Sequence, residues 1–143
     1  MIHLDTSVLI EVFGGQKALA RFRQLLNAGE RIALSTIVLF EWRRGPRISE
    51  QIEAQEALFP SAEAIAFGPE EAMLAADIYK KIKRPRGREI DIAVAACAIA
   101  HDAHEIWGCS TERKDSISPW LSQAGSLSIP RFSPADAARA SGP

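Results

Sequence analysis

Short apolar runs alternate along the chain with longer segments in which apolar residues recur at helical spacing. The apolar runs predict strands at 2–4, 31–34, 64–67 and 105–109, and an edge strand near Leu127 and Ile129. The longer segments predict six helices, which end near Gly14, Gly29, Gly45, Leu58, Ile82 and Ala103, and a short seventh near Trp120. Strands that alternate with helices predict an α/β domain, with a mostly parallel sheet of four to five strands between helices on both faces.

The composition fits a single domain. The chain has 143 residues, of which 47% are hydrophobic and 24% are charged. We assign residues 1–132 to the domain, and 133–143, a run of small and polar residues, to a loosely ordered tail. The formal net charge of −1 neither favours nor excludes a nucleic-acid partner, so only a local arrangement of charge can decide that question.

The cysteines and the hydropathy bear on the cellular compartment in which the protein is expected. Cys97 and Cys109 stand in apolar runs, with no pairing motif or metal-ligand spacing around them. Both are interpreted as buried free thiols, which fits a reducing environment. The sequence shows no signal peptide and no apolar stretch long enough to span a bilayer. We therefore expect a cytoplasmic protein with no membrane partner.

Three acidic residues fall where a parallel sheet would bring them to one edge. Asp5 directly follows the first strand, and Asp91 lies in the first turn of the most apolar helix. Glu41 lies about one and a half turns into the helix after the second strand. All three stand among large apolar neighbours, and burying a carboxylate costs several kcal/mol unless it is paired or bound to a metal. Carboxylates gathered at the carboxyl ends of strands suit Mg²⁺ or Mn²⁺.

Each acid also has an interpretation that needs no metal. Asp5 could cap the first helix, although Thr6 or Ser7 is also suited to that start. Glu41 could pair with one of the arginines that follow it. Asp91 could only complement the dipole of its helix. The joint position of the three acids at one sheet edge favours the metal site.

Three segments together resemble the PIN domain and, within it, the VapC toxins of bacterial toxin–antitoxin pairs: Leu4–Ile10, Thr36–Glu41 and Asp91–Ala96. The resemblance extends in order over nearly the whole chain. It implies a three-layer α/β/α nuclease with a Mg²⁺ site, where Mn²⁺ can substitute. It also implies cleavage of single-stranded RNA, a cognate VapB-like antitoxin and a homodimer. The family acids that it assigns as catalytic residues and metal ligands are Asp5, Glu41 and Asp91.

The fourth acid of the family is ambiguous in this sequence. The family shows Thr-x-Asp or Thr-x-Asn after the fourth strand, whereas this chain reads Ser-Thr-Glu-Arg-Lys-Asp-Ser over 110–116. Aligning Ser110 with the family threonine puts Glu112 at the acidic position, and aligning Thr111 leaves Asp115 as the nearest acid. We name Asp115 as the fourth catalytic acid, with Glu112 as the alternative. This departure motivates a second hypothesis, a catalytically weakened PIN domain that binds RNA or protein.

Two other classes of protein that place an Asp after the first strand fit less well. Phosphohydrolases of the haloacid-dehalogenase type need a second acid at position 7, which here is Ser7. Receiver domains need an acidic pair at the first strand, and His3-Leu4-Asp5 lacks it.

The acids suggest a hydrolytic mechanism. A cation held by Asp5 and Asp91 would activate a water and polarise the scissile phosphate. Glu41 would orient that water or accept its proton. One cation and two are both compatible with the sequence.

Basic residues near the predicted site could attract phosphates or simply remain solvated. They comprise the segment 80–88, which precedes the Asp91 helix, and Arg43 and Arg44, which follow Glu41. The histidines and tryptophans are interpreted as core, surface or interface residues. They are His3, His101, His104, Trp42, Trp107 and Trp120.

Overall fold

The computed structural model describes residues 1–14, 17–83 and 85–108. Three strands lie within these ranges: Ile2–Leu4 (β1), Ile32–Ala33 (β2) and Glu105–Trp107 (β3). They form one parallel sheet in the order β2-β1-β3, with Ile2 opposite both Ile32 and Glu105. The residues of β1 are all buried, as expected of a central strand. The predicted parallel α/β sheet is confirmed.

Six helices accompany these strands in the described part of the chain: Thr6–Gly14 (α1), Lys17–Asn27 (α2), Thr36–Arg44 (α3), Ser49–Leu58 (α4), Pro69–Lys81 (α5) and Glu89–Ala100 (α6). They correspond to the six predicted helices. α6 ends earlier than predicted, because Asp102 adopts a left-handed conformation with φ of 53° that a helix cannot continue through. A 3₁₀ turn at Ser61–Glu63 follows α4.

The predicted strand at 64–67 is wrong. This segment makes one parallel bridge, between Ser35 and Ile65, through two backbone hydrogen bonds of 2.8 and 2.9 Å made by Ile65. The pairing stops there because α3 begins at Thr36, so the partner backbone is no longer extended. The amide of Phe67 donates instead to the hydroxyl of Thr36 at 3.0 Å.

The sheet and α6 form the centre of the core. The run Ile92–Ala98 is buried without interruption, so this helix is surrounded on all sides. α5 packs against it through Leu74 and Ile78, which cluster with Ala96. Cys97 is fully buried, and burial raises the pKa of its thiol to about 11. The predicted buried thiol is confirmed at this position.

Two of the three tryptophans belong to the core, as predicted. Trp42 is fully buried, and the Arg47 guanidinium lies 4.2 Å from the centre of its ring. Trp107 ends β3, and the Arg21 guanidinium lies 5.1 Å from its ring. Both rings therefore pack inward against the guanidinium of an arginine.

Several predictions fall outside the described residues: Cys109, Trp120, the edge strand near Leu127 and Ile129, and the tail at 133–143. Among the helices that the structure describes, none is long and apolar enough to cross a membrane.

Candidate active site

Asp5 lies at the carboxyl end of β1, where its N–H donates to the carbonyl of Trp107 at 2.9 Å. Its Oδ2 accepts hydrogen bonds from the hydroxyl of Ser7 at 2.5 Å and from the N–H of Ser7 at 3.3 Å, so Asp5 caps α1. The prediction that Thr6 or Ser7 supplies this cap is wrong, because both lie inside the helix. Oδ1 has no hydrogen-bond partner among the described residues, so one oxygen remains for a ligand.

Gly108 lies against Asp5 from the end of β3. A Cβ added at Gly108 would stand 3.5 Å from both Cβ and Oδ2 of Asp5, and 3.8 Å from the hydroxyl of Ser7. A backbone without a side chain therefore borders the carboxylate on this side, and a long side chain at position 108 would occupy that space. Gly108 was not among the predicted site residues, although a glycine inside a predicted strand is a signal of a close backbone approach.

Glu41 is held in the second turn of α3. The helix is capped by Ser35, whose hydroxyl accepts from the N–H of Val38 at 3.4 Å. The Glu41 side chain is 20% exposed. Its Oε2 accepts from the hydroxyl of Thr6 at 2.8 Å, and its Oε1 accepts from Arg44 at 3.3 Å. The pairing with a following arginine that the sequence suggested is therefore present.

Thr6 connects the first two acids. It follows Asp5 directly in the chain, it is buried, and its hydroxyl donates to Glu41 across 35 positions of sequence. The carboxyl end of β1 and the second turn of α3 therefore meet at this residue. Sequence reasoning assigned Thr6 only to the start of a helix and missed this contact.

Asp91 lies in the first turn of α6, as predicted, but its surroundings differ from the expectation. Its side chain is 52% exposed, and its Oδ2 lies 4.0 Å from Nε of Arg88. The expected burial among apolar neighbours is wrong for this acid, because the buried stretch of α6 begins only at Ile92.

The three acids do not form a closed set of ligands in the described part of the chain. Over residues 1–14, 17–83 and 85–108, no group of three or more acidic, histidine or cysteine side chains is placed to hold a metal ion. Glu41 is bonded to Thr6, the neighbour of Asp5 in the chain, and Asp91 does not complete a triplet with Asp5 and Glu41. The two candidates for the fourth acid, Glu112 and Asp115, lie outside the described residues.

Two arginines of the predicted basic groups have different surroundings. Arg43 donates to Glu56 at 2.7 Å and to Ser61 at 3.2 Å, which ties it to the turn after α4. Arg88, at the end of the basic segment, reaches the candidate site through its contact with Asp91. The segment therefore approaches a predicted acid at Arg88.

The histidines take structural and surface positions, in agreement with their interpretation. His3 is fully buried on β1, and neither ring nitrogen has a hydrogen-bond partner among the described residues. Burial lowers the pKa of His3 to about 4, so its ring is neutral at pH 7. His101 lies 3.0 Å from the carboxylate of Glu71, and His104 lies 2.8 Å from the N-terminal amine of Met1.

The fold agrees with a known family. The model of the PIN domain matches residues 2–107 of the chain. The chain belongs to the PIN domain family. PIN domains are generally nucleases, and they generally use divalent metal ions.

A solved structure with the same fold is the crystal structure of VapBC2 from Rickettsia felis bound to a DNA fragment from their promoter. The match has a TM-score of 0.58 and 20% sequence identity, and it covers 78% of this chain and 90% of that chain. Among curated proteins, no sequence matches this chain significantly. The PIN fold predicted from the sequence is confirmed.

The donor atoms of this PIN domain fit a hard divalent cation. The candidate ligands are carboxylate oxygens, which suit Mg²⁺ and Mn²⁺ better than soft metals. Asp5 presents one oxygen with no partner among the described residues, while the hydroxyl and N–H of Ser7 fix its other oxygen. A carboxylate oriented in this way loses little conformational freedom when it binds a cation.

Proposed function

We propose that this PIN domain is a Mg²⁺-dependent endoribonuclease that cleaves single-stranded RNA and acts as the toxin of a type II toxin–antitoxin pair. The observation that carries the proposal is the link from Asp5, at the end of the central strand, through Thr6 to Glu41. Carboxylates placed at or beside the carboxyl edge of a parallel sheet are suited to metal-assisted hydrolysis.

Asp5, Asp91 and Glu41 would hold the cation, and the fourth acid would come from Asp115 or Glu112. A divalent cation supplies charge that polarises the scissile phosphate and favours deprotonation of a nearby water. Asp5 contributes an oxygen whose orientation its bonds to Ser7 already determine. Mn²⁺ would substitute for Mg²⁺, since both prefer oxygen ligands.

Glu41 would orient the attacking water and accept its proton. Its Oε2 is fixed by the Thr6 hydroxyl, so the carboxylate cannot rotate freely away from the site. A carboxylate can serve as this base where its position relative to the water is maintained through the reaction.

The toxin assignment includes partners. We infer a VapB-like antitoxin, a homodimer and a cytoplasmic location, on the support of the sequence resemblance and of the structural similarity to the VapBC2 complex. Light scattering of the purified chain tests the dimer directly: a monomer mass at all concentrations would contradict it.

The decisive experiment is RNA cleavage with Mg²⁺, with Mn²⁺ and with a chelator, for the wild type and for Asp5→Asn and Asp91→Asn. We expect each substitution to lower the cleavage rate by more than roughly a hundredfold, because it removes a charged cation ligand. Asp77→Asn, on the exposed face of α5, is the matched control and should leave the rate unchanged. Equal residual cleavage by the wild type and both site variants would contradict the nuclease assignment.

The second candidate is a PIN domain with weakened catalysis that binds RNA or protein. The exposure of Asp91 and its contact with Arg88 favour it, since a ligand engaged by an arginine binds a cation less readily. The same measurements separate the two candidates. RNA binding by the wild type without metal-dependent cleavage supports the binding module.

A further inference from the structure

The two oxygens of Glu41 have partners of different kinds. The Thr6 hydroxyl on Oε2 belongs to a buried residue that is 8% exposed. The Arg44 guanidinium on Oε1 belongs to a side chain that is 57% exposed. The first partner is fixed by the packing of α1, whereas the second lies in water and is free to move.

The other contact of Arg44 among the described residues is equally local. Its guanidinium carbon lies 5.3 Å from the centre of the Phe40 ring, and Phe40 is 55% exposed. Phe40, Glu41 and Arg44 all lie on α3, so within the described part of the chain no second element fixes the arginine. An exposed ion pair between residues three apart on a helix is weak and is screened by salt. A stronger anion that reaches Arg44 will therefore displace Glu41 from it.

A phosphate group is such an anion, because a guanidinium binds it with two parallel hydrogen bonds. We propose that Arg44 exchanges partners: it pairs with Glu41 in the free protein, and it contacts a phosphate of bound single-stranded RNA, which releases Oε1 of Glu41. This inference rests on the proposed ribonuclease function. It gives Arg44 a positioning role, in which RNA binding itself prepares Glu41.

If Arg44 exchanges partners, its removal should change cation binding and RNA binding in opposite directions, which a general attraction of Arg44 for RNA would not do. In the free protein Arg44 competes with a cation for Glu41, so its removal should strengthen cation binding. In the complex Arg44 contributes a phosphate contact, so its removal should weaken RNA binding. The adjacent Arg43 offers a matched control, because its guanidinium bonds to Glu56 and Ser61 and not to Glu41.

The experiment compares the wild type, Arg44→Gln and Arg43→Gln in two binding assays. Electron paramagnetic resonance measures Mn²⁺ binding in the absence of RNA. Fluorescence anisotropy measures binding of a short, unstructured, labelled RNA in a chelator, over a range of salt concentrations. Neither assay depends on cleavage. Thermal unfolding of each variant checks that it is folded.

We expect Arg44→Gln to bind Mn²⁺ roughly two- to fivefold more tightly than the wild type, in proportion to the ion pair that it removes. We expect its RNA affinity to fall, and the slope of log affinity against log salt to decrease by about 0.7, as for one lost phosphate contact on a single strand. Arg43→Gln should change either affinity by no more than roughly a factor of two, the effect of a screened surface charge that does not contact Glu41.

The outcomes separate this inference from the function on which it rests. If the wild type binds RNA and Arg44→Gln behaves like Arg43→Gln, the exchange is wrong and the proposed function stands. If Arg44→Gln weakens both Mn²⁺ and RNA binding, Arg44 supports the site in some other way and the exchange is again wrong. If the folded wild type binds no RNA, the ribonuclease proposal is wrong, and so is the exchange that rests on it.

Discussion

Three consecutive residues at the start of α1 divide two tasks among them. Asp5 caps the helix through Oδ2, and its Oδ1 has no partner among the described residues, so capping and ligand binding do not exclude each other. Ser7 holds the carboxylate of Asp5, and Thr6 holds the carboxylate of Glu41. The same three residues therefore start the helix and contribute to the candidate active site.

Thr6→Val tests the hydrogen bond of the Thr6 hydroxyl apart from the packing of the side chain. Valine has nearly the same volume but donates no hydrogen bond, and a bond to a charged acceptor contributes about 1.5–3 kcal/mol. We expect kcat for RNA cleavage to fall roughly tenfold or more, because Glu41 loses its fixed partner, while KM stays near the wild-type value.

Thr6→Ser keeps the donor and should retain most of the activity. Steady-state cleavage kinetics of both variants, with thermal unfolding beside them, make the comparison. If serine and valine lower kcat equally, the hydroxyl does not position Glu41 and Thr6 acts only through packing.

At the scale of elements, Glu71 joins the start of α5 to the end of α6. Its Oε2 accepts from the N–H of Gly68 at 2.9 Å, and its Oε1 lies 3.0 Å from Nε2 of His101. Burial alone would raise the pKa of Glu71, but its hydrogen bonds to the backbone and to His101 outweigh burial and hold the pKa below its usual value. The ionised form of Glu71 is therefore the one that stabilises the fold.

The sign of the pH dependence follows from this lowered pKa. Ionised Glu71 contributes stability above its unfolded pKa, and the contribution is lost as the pH falls through the folded pKa. Glu71→Gln should lower the free energy of unfolding by about 1 kcal/mol at pH 7, a typical value for a helix cap. Urea unfolding at pH 7 and in acid, beside Glu70→Gln as an exposed control, makes the test. If Glu71→Gln lowers the free energy of unfolding by as much in acid as at pH 7, the ionic role of Glu71 is contradicted.

At the scale of the whole molecule, stability depends on how closely α6 packs. The seven buried residues of this helix include four alanines, and Ala96 is fully buried against α5. Small side chains at these positions let neighbouring elements approach α6 closely. The helix that carries Asp91 is therefore positioned by its alanines as much as by its larger residues.

Ala96→Leu should overpack this core and lower the free energy of unfolding by roughly 1–3 kcal/mol. Ala76→Leu, on the exposed side of α5, is the matched control and should change it by no more than about 0.5 kcal/mol. Urea unfolding followed by tryptophan fluorescence measures both. Equal stability of the two variants would show that the core beside α6 accommodates a larger side chain, which would contradict the close packing.

The sequence by itself determined the order of the elements, the parallel sheet and the family. Apolar periodicity located six helices, and the three segments that contain Asp5, Glu41 and Asp91 together carried enough of the PIN pattern to indicate the fold. These features are local, since a helix or a buried strand is specified by its own residues and their caps.

Only the tertiary structure decided how the acids are held. The bond from Thr6 to Glu41 spans 35 positions, and the exposure of Asp91 depends on where the buried part of α6 begins. The strand predicted at 64–67 gave way because its partner backbone turns into α3 at Thr36. Pairing and burial are properties of two segments together, so the pattern of either segment alone does not contain them.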